Sequence, residues 1–205
     1  ESKNFQSKRK QMIHHHFILH KPYGYISQFI TNQNKQKRIK LLGELYDFPE
    51  GTMAIGRLDK DSEGLLLLTT DGKVSDWVCS SKIDKEYYVQ VDGQVTDEAI
   101  NQLKAGVEIS INSKKYMTMP CQAAILDQPP QTGPRVKIIR SDRHGPTSWL
   151  TITINEGKFR QVRKMTAAVG FPTLRLIRVR VGHLTLDKMT AGEVIETDDF
   201  GFLDK

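Results

Sequence analysis

The sequence predicts an α+β protein with a largely antiparallel sheet and a few helices. Many short segments are either alternately apolar and polar or apolar throughout, which is typical of strands. Helical segments are few, and they do not alternate regularly with the strands as they do in proteins with parallel sheets. The 205 residues suit one sizeable domain, or two small lobes that share a core.

The strand predictions rest on two kinds of pattern. Leu65–Leu68 is apolar throughout and predicts a short strand buried on both faces, whereas Lys85–Val91 alternates and predicts a half-buried strand. We expect Arg135–Arg140 and Trp149–Asn155 to pair as antiparallel strands joined by a loop. The predicted strands are Phe17–Lys21, Leu65–Leu68, Lys85–Val91, short strands within 107–126, Arg135–Arg140, Trp149–Asn155 and Thr173–Val181.

Three helices are predicted from capping residues and apolar periodicity. Asp71 is a suitable N-cap for a helix through about Ser80, and Thr96 for the helix Asp97–Ala105. Arg160–Val169 has the clearest periodicity, and Gly170 ends it. Its apolar arc comprises Val162, Met165 and Val169, and the opposite side carries Arg160, Arg163 and Lys164.

Residues 1–16 are polar and basic and lack apolar periodicity, so we expect a flexible arm there. We expect residues 17–199 to form one folded domain and residues 200–205 to form a tail. Consecutive residues of a strand cannot converge on one ion, so His14–His16 favours a strand entry over a metal site.

The two cysteines predict no disulfide framework and favour a reducing, cytoplasmic location. No apolar run is long enough to cross a bilayer. The sequence shows no heptad repeat and no spare apolar face, so we expect a monomer.

The net charge of +6 makes a polyanion a plausible partner. Residues 1–45 contain nine basic and two acidic residues, and residues 155–180 contain seven basic and one acidic residue. Residues 46–70 are net acidic. Two basic blocks around an acidic centre predict a groove with cations along its edges.

The acidic centre is the stretch Gly56–Gly64, in which Asp59, Asp61 and Glu63 share one face if the chain is extended. Their repulsion requires a metal, cationic partners or solvent. The stretch imitates the start of a calcium-binding EF-hand loop, but Thr70 stands where that loop needs a glutamate. A magnesium-dependent nuclease, exposed structural carboxylates, and a nucleophilic carboxylate paired with arginine remain open on this pattern.

Several motifs resemble those of the RNA pseudouridine synthases, in the branch typified by the small-subunit rRNA enzymes. Gly56–Asp59 with Ser62–Leu66 is similar to their catalytic motif, Lys85–Val89 to their second and Glu156–Met165 to their third. Lys21–Pro22 resembles the end of their opening strand. The order and spacing agree over residues 17–197. Two further stretches resemble the large-subunit rRNA enzymes, namely Pro146–Trp149 and Gly170–Arg178.

The resemblance implies a mixed, mostly antiparallel sheet flanked by helices, with a central RNA-binding cleft. It implies that 17–199 is a catalytic domain of two lobes sharing one sheet, without the S4 RNA-binding domain of many relatives. The implied activity converts a specific uridine in ribosomal RNA, expected to be 23S, to pseudouridine. The C1′–N1 bond breaks, the base turns, and C1′ joins C5, without a cofactor or metal.

By the same resemblance, Asp59 is the nucleophile or essential carboxylate, and Arg163 forms an ion pair with it. Tyr87 lies under the uracil and is the candidate proton acceptor at C5. Arg57 occupies the space of the flipped base or binds a nearby phosphate. The expected RNA contacts are Lys21, Lys35, Lys37, Arg38, Arg57, Arg160, Lys164, Arg175, Arg178 and Arg180. The alternatives are a non-catalytic RNA-binding or ribosome-assembly module and a metal-dependent nuclease.

Overall fold

A computed structural model describes residues 12–32 and 38–202, and it confirms an α+β fold with a mostly antiparallel sheet. The helices of this part of the chain are α1 (Gly72–Ser80), α2 (Asp97–Ala105) and α3 (Gln161–Ala168). The strands there are β1 (His16–Lys21), β2 (Met53–Ile55), β3 (Glu63–Thr69), β4 (Lys85–Asp92), β5 (Glu108–Ile111), β6 (Lys114–Met117), β7 (Gln122–Leu126), β8 (Thr147–Ile154), β9 (Thr173–Val181), β10 (Leu184–Thr185) and β11 (Val194–Thr197).

The main sheet has the strand order β11-β1-β3-β9-β4-β8-β7, with β2 beside β3 and β10 beside β9. Strands β5 and β6 form a separate hairpin. The pairing of β3 with β9 is parallel, and it is short: Glu63 lies opposite Ile177, and Gly64 opposite Arg178. The pairing at this β3–β9 junction does not extend beyond these two residue pairs, and residues of both strands, Leu67 of β3 and Leu176 and Arg178 of β9, line a cleft there.

Gly64 is required at the β3–β9 junction. Its φ of +109° is one that residues with a side chain rarely adopt. A Cβ atom at this position would lie 2.2 Å from the carbonyl oxygen of Arg178, well inside van der Waals contact. A glycine therefore lets the backbones of β3 and β9 approach each other at the base of the cleft.

The leucine run of β3 supplies both layers of the core, as predicted for a strand buried on two faces. Leu66 and Leu68 pack in the cluster that holds the buried residues of α2 and α3, whereas Leu65 and Leu67 pack in a second cluster that includes α1. Successive side chains of a strand point to opposite faces, so one short segment anchors both layers. The charged stretch before it is thereby attached to the most buried strand.

The predicted helices are confirmed to within one residue at each end. The Asp71 carboxylate accepts a hydrogen bond from the Lys73 amide, and the Thr96 hydroxyl accepts one from the Ala99 amide. The strand predicted at Arg135–Arg140 is wrong. That segment is irregular, and β8 pairs with β4 and β7 instead.

The physical reason for this error lies in the exposure of the apolar side chains. Val136 and Ile138 are 88% and 82% exposed, so their alternation with basic residues does not mark a buried face. Arg140 turns back to the sheet, where its Nη2 atom donates to the Asp92 carboxylate over 2.8 Å.

The chain ends differ somewhat from the prediction. Residues 1–11 of the expected arm and residues 203–205 of the expected tail lie outside the described residues. His16 begins β1, while the Nδ1 atom of His15 lies 2.6 Å from the Glu196 carboxylate. Phe200 is buried in the second cluster, so the folded domain continues past residue 199.

Cys79 and Cys121 are free cysteines. Within the described residues, no helix has the length and apolar character that a membrane span requires.

Candidate active site

The cleft beside the β3–β9 junction holds a cavity of about 680 Å³. Its mouth is formed by the loop Gly56–Lys60 between β2 and β3 and by residues 156–161 before α3. Its lining also includes Lys85 of β4 and the buried residues Tyr87 of β4 and Arg178 of β9, and we call this less exposed part its floor. The three sequence motifs, distant in the chain, thus meet at one cavity.

The acidic stretch turns rather than continuing β3. The Ser62 amide donates to the Asp59 carbonyl over 3.0 Å, which closes a turn. The premise of an extended stretch with three carboxylates on one face is therefore wrong. Asp59 lines the cavity and Asp61 is bound by Arg160, whereas Glu63 is buried in a bidentate ion pair with Arg175, with distances of 2.8 and 2.9 Å.

A segment after β1 holds the Gly56–Lys60 loop from one side. The Ser27 hydroxyl donates to the Leu58 carbonyl over 2.7 Å and accepts from the Leu58 amide over 3.0 Å. The Gly24 amide donates to the Lys60 carbonyl over 2.8 Å. These bonds bracket Asp59 on both sides and fix the backbone that carries it.

Arg160 holds the two carboxylates from the other side. Its Nη1 atom lies 3.2 Å from Asp59 Oδ2, and its two terminal nitrogens each donate to one Asp61 oxygen over 3.0 Å. Burial raises the pKa of Asp61, but the hydrogen bonds of Arg160 and the charges of Arg163 and Arg160 outweigh burial and lower it. Asp61 therefore remains a carboxylate that orients the guanidinium.

This arrangement corrects two expectations from the sequence. Arg163 does not form the expected ion pair with Asp59; its Nη2 atom donates to the Asp61 carbonyl over 2.9 Å and to the Ser62 hydroxyl over 3.1 Å. Arg160, expected at phosphate, occupies the place beside Asp59. The reason is that α3 begins at Gln161, and Arg160 adopts a left-handed conformation with φ of 51° ahead of it.

Tyr87, expected under the uracil, lines the same cavity as Asp59. It is buried on β4, and Arg178 faces it across the β4–β9 ladder. Arg57 is exposed at the mouth. The structure thus brings Asp59, Tyr87 and Arg57 to one cavity, with Arg163 supporting the turn.

The expected RNA-binding cations fall into two groups. Lys164 is partly exposed and lies 5.1 Å from the ring centre of Phe159, and Arg38 is exposed beside Glu44. Arg180 is partly exposed, with its Nε atom 3.9 Å from the Glu86 carboxylate. Lys35 and Lys37 lie outside the described residues.

The other group is buried, in contrast to the surface position expected for phosphate contacts. Arg175 and Arg178 are 7% and 6% exposed. Arg175 is held by Glu63, while the Nε atom of Arg178 donates to the Leu65 carbonyl over 2.8 Å. Lys21 has no exposed surface, and its Nζ atom donates to two carbonyl groups of the turn that follows β1. These buried side chains bind other protein groups and thereby stabilise the structure around the site.

Sequence reasoning missed two supports. Ser27 carried no motif signal, since its role depends on a contact with residues 31 positions away. Glu156 lies in the third motif, but its role was not assigned. It accepts hydrogen bonds from the Tyr116 hydroxyl, from Gln161 Nε2 over 2.8 Å and from the Met119 amide over 3.0 Å. It therefore ties the start of α3 to the β6 region.

Metal ligation has no geometric basis in the part of the chain that the structure describes. No group of three or more histidine, cysteine, aspartate or glutamate side chains is placed there to hold an ion. Asp59 and Asp61 have a guanidinium as their cationic partner instead. A carboxylate held in this way is oriented, as nucleophilic or electrostatic work at a cleft requires.

Comparisons with known proteins agree with the motifs. The RNA pseudouridylate synthase family model matches residues 15–168. Ribosomal large subunit pseudouridine synthase E of Xanthomonas axonopodis pv. citri is 43% identical over 174 residues, covering 84% of this chain and 88% of that protein. The protein of the same name from Vibrio vulnificus is 43% identical over 178 residues, covering 86% and 72%.

A solved structure of the same group of proteins is also similar to this chain. The crystal structure of a pseudouridylate synthase superposes with a TM-score of 0.70 at 27% identity, covering 90% of this chain and 70% of that one. These findings confirm the resemblance to the RNA pseudouridine synthases. They also confirm the resemblance to the large-subunit enzymes, in particular to those named synthase E. The match to the family model and the identity to these relatives together show that the chain belongs to the RNA pseudouridylate synthase family.

Proposed function

We propose that this chain isomerises a specific uridine of ribosomal RNA, in the large-subunit 23S RNA, to pseudouridine. The observation that carries the proposal is that Asp59 and Tyr87 line one cavity of about 680 Å³. Ligand pockets commonly have volumes of about 300–1,000 Å³, so a flipped nucleotide fits. The names of the relatives, which specify the ribosomal large subunit, support the choice of RNA.

Asp59 acts at the sugar in this proposal, as nucleophile or essential carboxylate. Glycosidic cleavage makes C1′ electron-poor, and the Asp59 carboxylate, held at 3.2 Å from Arg160, stabilises that carbon by bond or by charge. Ser27 and Arg163 hold the backbone on the two sides of Asp59. The carboxylate is thus positioned before the RNA binds.

Tyr87 acts at the base. Its side chain on the floor of the cavity supports the uracil, and its hydroxyl accepts the C5 proton after C1′ has joined C5. Arg57, exposed at the mouth, fills the space of the flipped base or contacts its phosphate.

RNA binding uses the exposed basic side chains around the mouth and omits the buried ones. Phe159, which is 67% exposed beside Lys164, offers an aromatic face for a base. Because Arg175 and Lys21 are buried and occupied, they are not included. We also propose a monomer in the cytoplasm, where ribosomal RNA is made. The proposed RNA contacts among the described residues, all exposed or partly exposed, are Arg38, Arg57, Lys60, Lys158, Lys164 and Arg180. Lys35 and Lys37, which lie outside the described residues, stay proposed contacts on the basis of the sequence alone.

The test uses 23S and 16S transcripts labelled with tritium at uridine C5, since isomerisation releases that tritium. The wild type should release it from 23S RNA, with or without chelator. Asp59→Asn should abolish release without loss of folding or RNA binding. Asp76→Asn, an exposed acid on α1, is the matched control and should act as the wild type.

Each other outcome has a definite meaning. Retained release in Asp59→Asn would overturn the role of Asp59. Binding of 23S RNA without release by the wild type would favour the non-catalytic RNA-binding module. Strand cleavage that stops with chelator would indicate the nuclease.

A further inference from the structure

The floor of the cavity carries cations that the roles above do not use. Lys85 and Arg178 both line it. Lys85 makes one hydrogen bond, from Nζ to the Ile83 carbonyl over 3.3 Å, and Arg178 donates from Nε to the Leu65 carbonyl. Among residues 12–32 and 38–202, no carboxylate lies within ion-pair distance of either cation. Both side chains therefore line the cavity without an ion-paired carboxylate, and burial lowers the pKa of Lys85 more than the charge of Asp84 raises it.

The turn that carries Asp59 and Asp61 shows the opposite arrangement. There Arg160 is paired with Asp59 and Asp61, and Arg163 lies 3.5 Å from an Asp61 oxygen. Arg160 and Arg163 thus have carboxylate partners, whereas the two floor cations have none within ion-pair distance among the described residues. Asp59, which has a cationic partner, and the floor cations, which have no ion-paired carboxylate in that part of the chain, therefore line the same cavity.

Register places these floor cations beside the base position. Lys85 precedes Tyr87 by two residues on β4, so both side chains lie on the same face, and Arg178 is opposite Tyr87 on β9. The remaining floor is apolar, including Ile154, Leu176 and Val181. Burial, followed by the charge of Arg178, lowers the pKa of Lys85, which agrees with two close cations in a partly dry site.

The chemistry of glycosidic cleavage requires charge of both signs. When the C1′–N1 bond breaks, its electron pair stays with uracil, so the base becomes an anion with charge spread over N1, O2 and O4. The sugar carbon becomes positive at the same time. When C1′ joins C5, the base gives up its C5 proton, N1 regains a proton, and no net charge remains.

We propose that Lys85, with Arg178 beside it, stabilises the uracil anion formed when the base leaves the sugar. Lys85 would be a catalytic residue that keeps its own proton and contacts a carbonyl oxygen of the base. This inference rests on the proposed isomerase function. It divides the work between Asp59, which meets the positive sugar, and the floor cations, which meet the negative base.

A change of leaving group tests this role. Fluorine at C5 withdraws electrons, so 5-fluorouracil leaves as a more stable anion and needs less help from a cation. Single-turnover loss of the target nucleotide is measured in 23S fragments that contain uridine or 5-fluorouridine. Lys85→Met should slow the uridine reaction by about 100-fold, which is typical of losing one charge-stabilising donor. It should slow cleavage of 5-fluorouridine much less.

Controls separate this role from folding and RNA binding. Lys85→Arg should restore most of the rate because it keeps the charge, and Lys82→Met, an exposed neighbour, should behave as the wild type on both RNAs. The dissociation constant for RNA should not change in Lys85→Met, and its thermal midpoint should stay close to that of the wild type.

The possible failures are distinguishable. Equal slowing of Lys85→Met on both RNAs would overturn the inference and indicate a structural role. Weaker RNA binding at an unchanged rate would also overturn it, in favour of a phosphate contact. If the wild type acts on neither RNA, the isomerase proposal itself fails, and the inference fails with it.

Discussion

One guanidinium, that of Arg160, lies between Asp59 and Asp61, 3.2 Å from an oxygen of the first and 3.0 Å from both oxygens of the second. Asp61 uses its full carboxylate to orient this group, which leaves the contact with Asp59 single and at the edge. Asp59 is thereby held without being enclosed, and it remains accessible from the cavity.

Arg160→Met should lower turnover by about 100-fold, because Asp59 then loses its orienting partner. Arg160→Lys should recover only part of the rate, since an ammonium cannot form the planar fork that spans two carboxylates. Single-turnover kinetics on 23S RNA and a filter-binding assay measure rate and affinity separately.

Lys164→Met is the matched control for Arg160, because it removes a neighbouring cation that does not contact the carboxylates. It should weaken RNA binding and leave the rate at saturation unchanged. If Arg160→Met instead weakens binding at an unchanged rate, Arg160 is a phosphate contact, as its position in the sequence first indicated.

Glu63→Gln should lower the free energy of unfolding by about 3–5 kcal/mol, the usual effect of leaving one member of a buried ion pair without its partner. The two side chains of the Glu63–Arg175 pair are 5% and 9% exposed. Urea unfolding measures the change. Glu108→Gln breaks an exposed pair with Lys115 and should cost only about 0–1 kcal/mol. Equal effects of the two substitutions would contradict a structural role for the buried pair.

Lys21 should make stability depend on pH. Burial lowers its pKa from 10.5 to about 7, against the opposing charges of Glu63, Asp61 and Asp59. Between these pH values the unfolded chain holds more protons at this position than the folded chain. The free energy of unfolding therefore rises with pH above about 7, and the destabilising effect is complete below it.

Lys21→Met should remove this contribution. We expect the wild type to gain up to about 1.4 kcal/mol per pH unit relative to the variant between pH 7.5 and 9. Urea unfolding at several pH values measures it, with the exposed Lys73→Met as a control that keeps the wild-type slope. Parallel profiles for the wild type and Lys21→Met would show that Lys21 keeps its ordinary pKa.

Gly64→Ala should be among the most damaging single substitutions, with a loss of more than about 4 kcal/mol or no folded protein. The new methyl group would meet the Arg178 carbonyl at 2.2 Å, and the backbone φ of +109° adds strain. Gly72→Ala adds the same methyl in open space at the start of α1 and should be neutral or slightly stabilising. Thermal melting compares them, and similar midpoints would refute the close approach at the β3–β9 junction.

Local elements were predictable because their signals are local. Thr96 and the residues of α2 specify that helix by cap and periodicity, and the leucines of β3 specify a buried strand by composition. Arg135–Arg140 failed because alternation shows a strand only if one set of side chains finds a core, and Val136 and Ile138 do not.

The candidate site was predictable as a set of motifs but not as a set of contacts. The helical pattern placed Arg160 and Arg163 on one face, yet a left-handed residue before α3 decides which of them reaches Asp59. Likewise, Arg175 resembles a surface cation until Glu63 is brought to it from 112 residues away. Charge in a sequence indicates a partner, but only the fold decides whether that partner is RNA or another side chain.

The separation of the paired residues in the chain has a consequence during synthesis. Asp61 and Arg160 are 99 residues apart, so translation at about 5–20 residues per second makes the carboxylate about 5–20 seconds before its guanidinium. During that interval β3 also lacks its parallel neighbour β9. A nascent chain on the ribosome thus carries Asp59 without the partner that orients it. The isomerisation that we propose can begin only when most of the protein has been made.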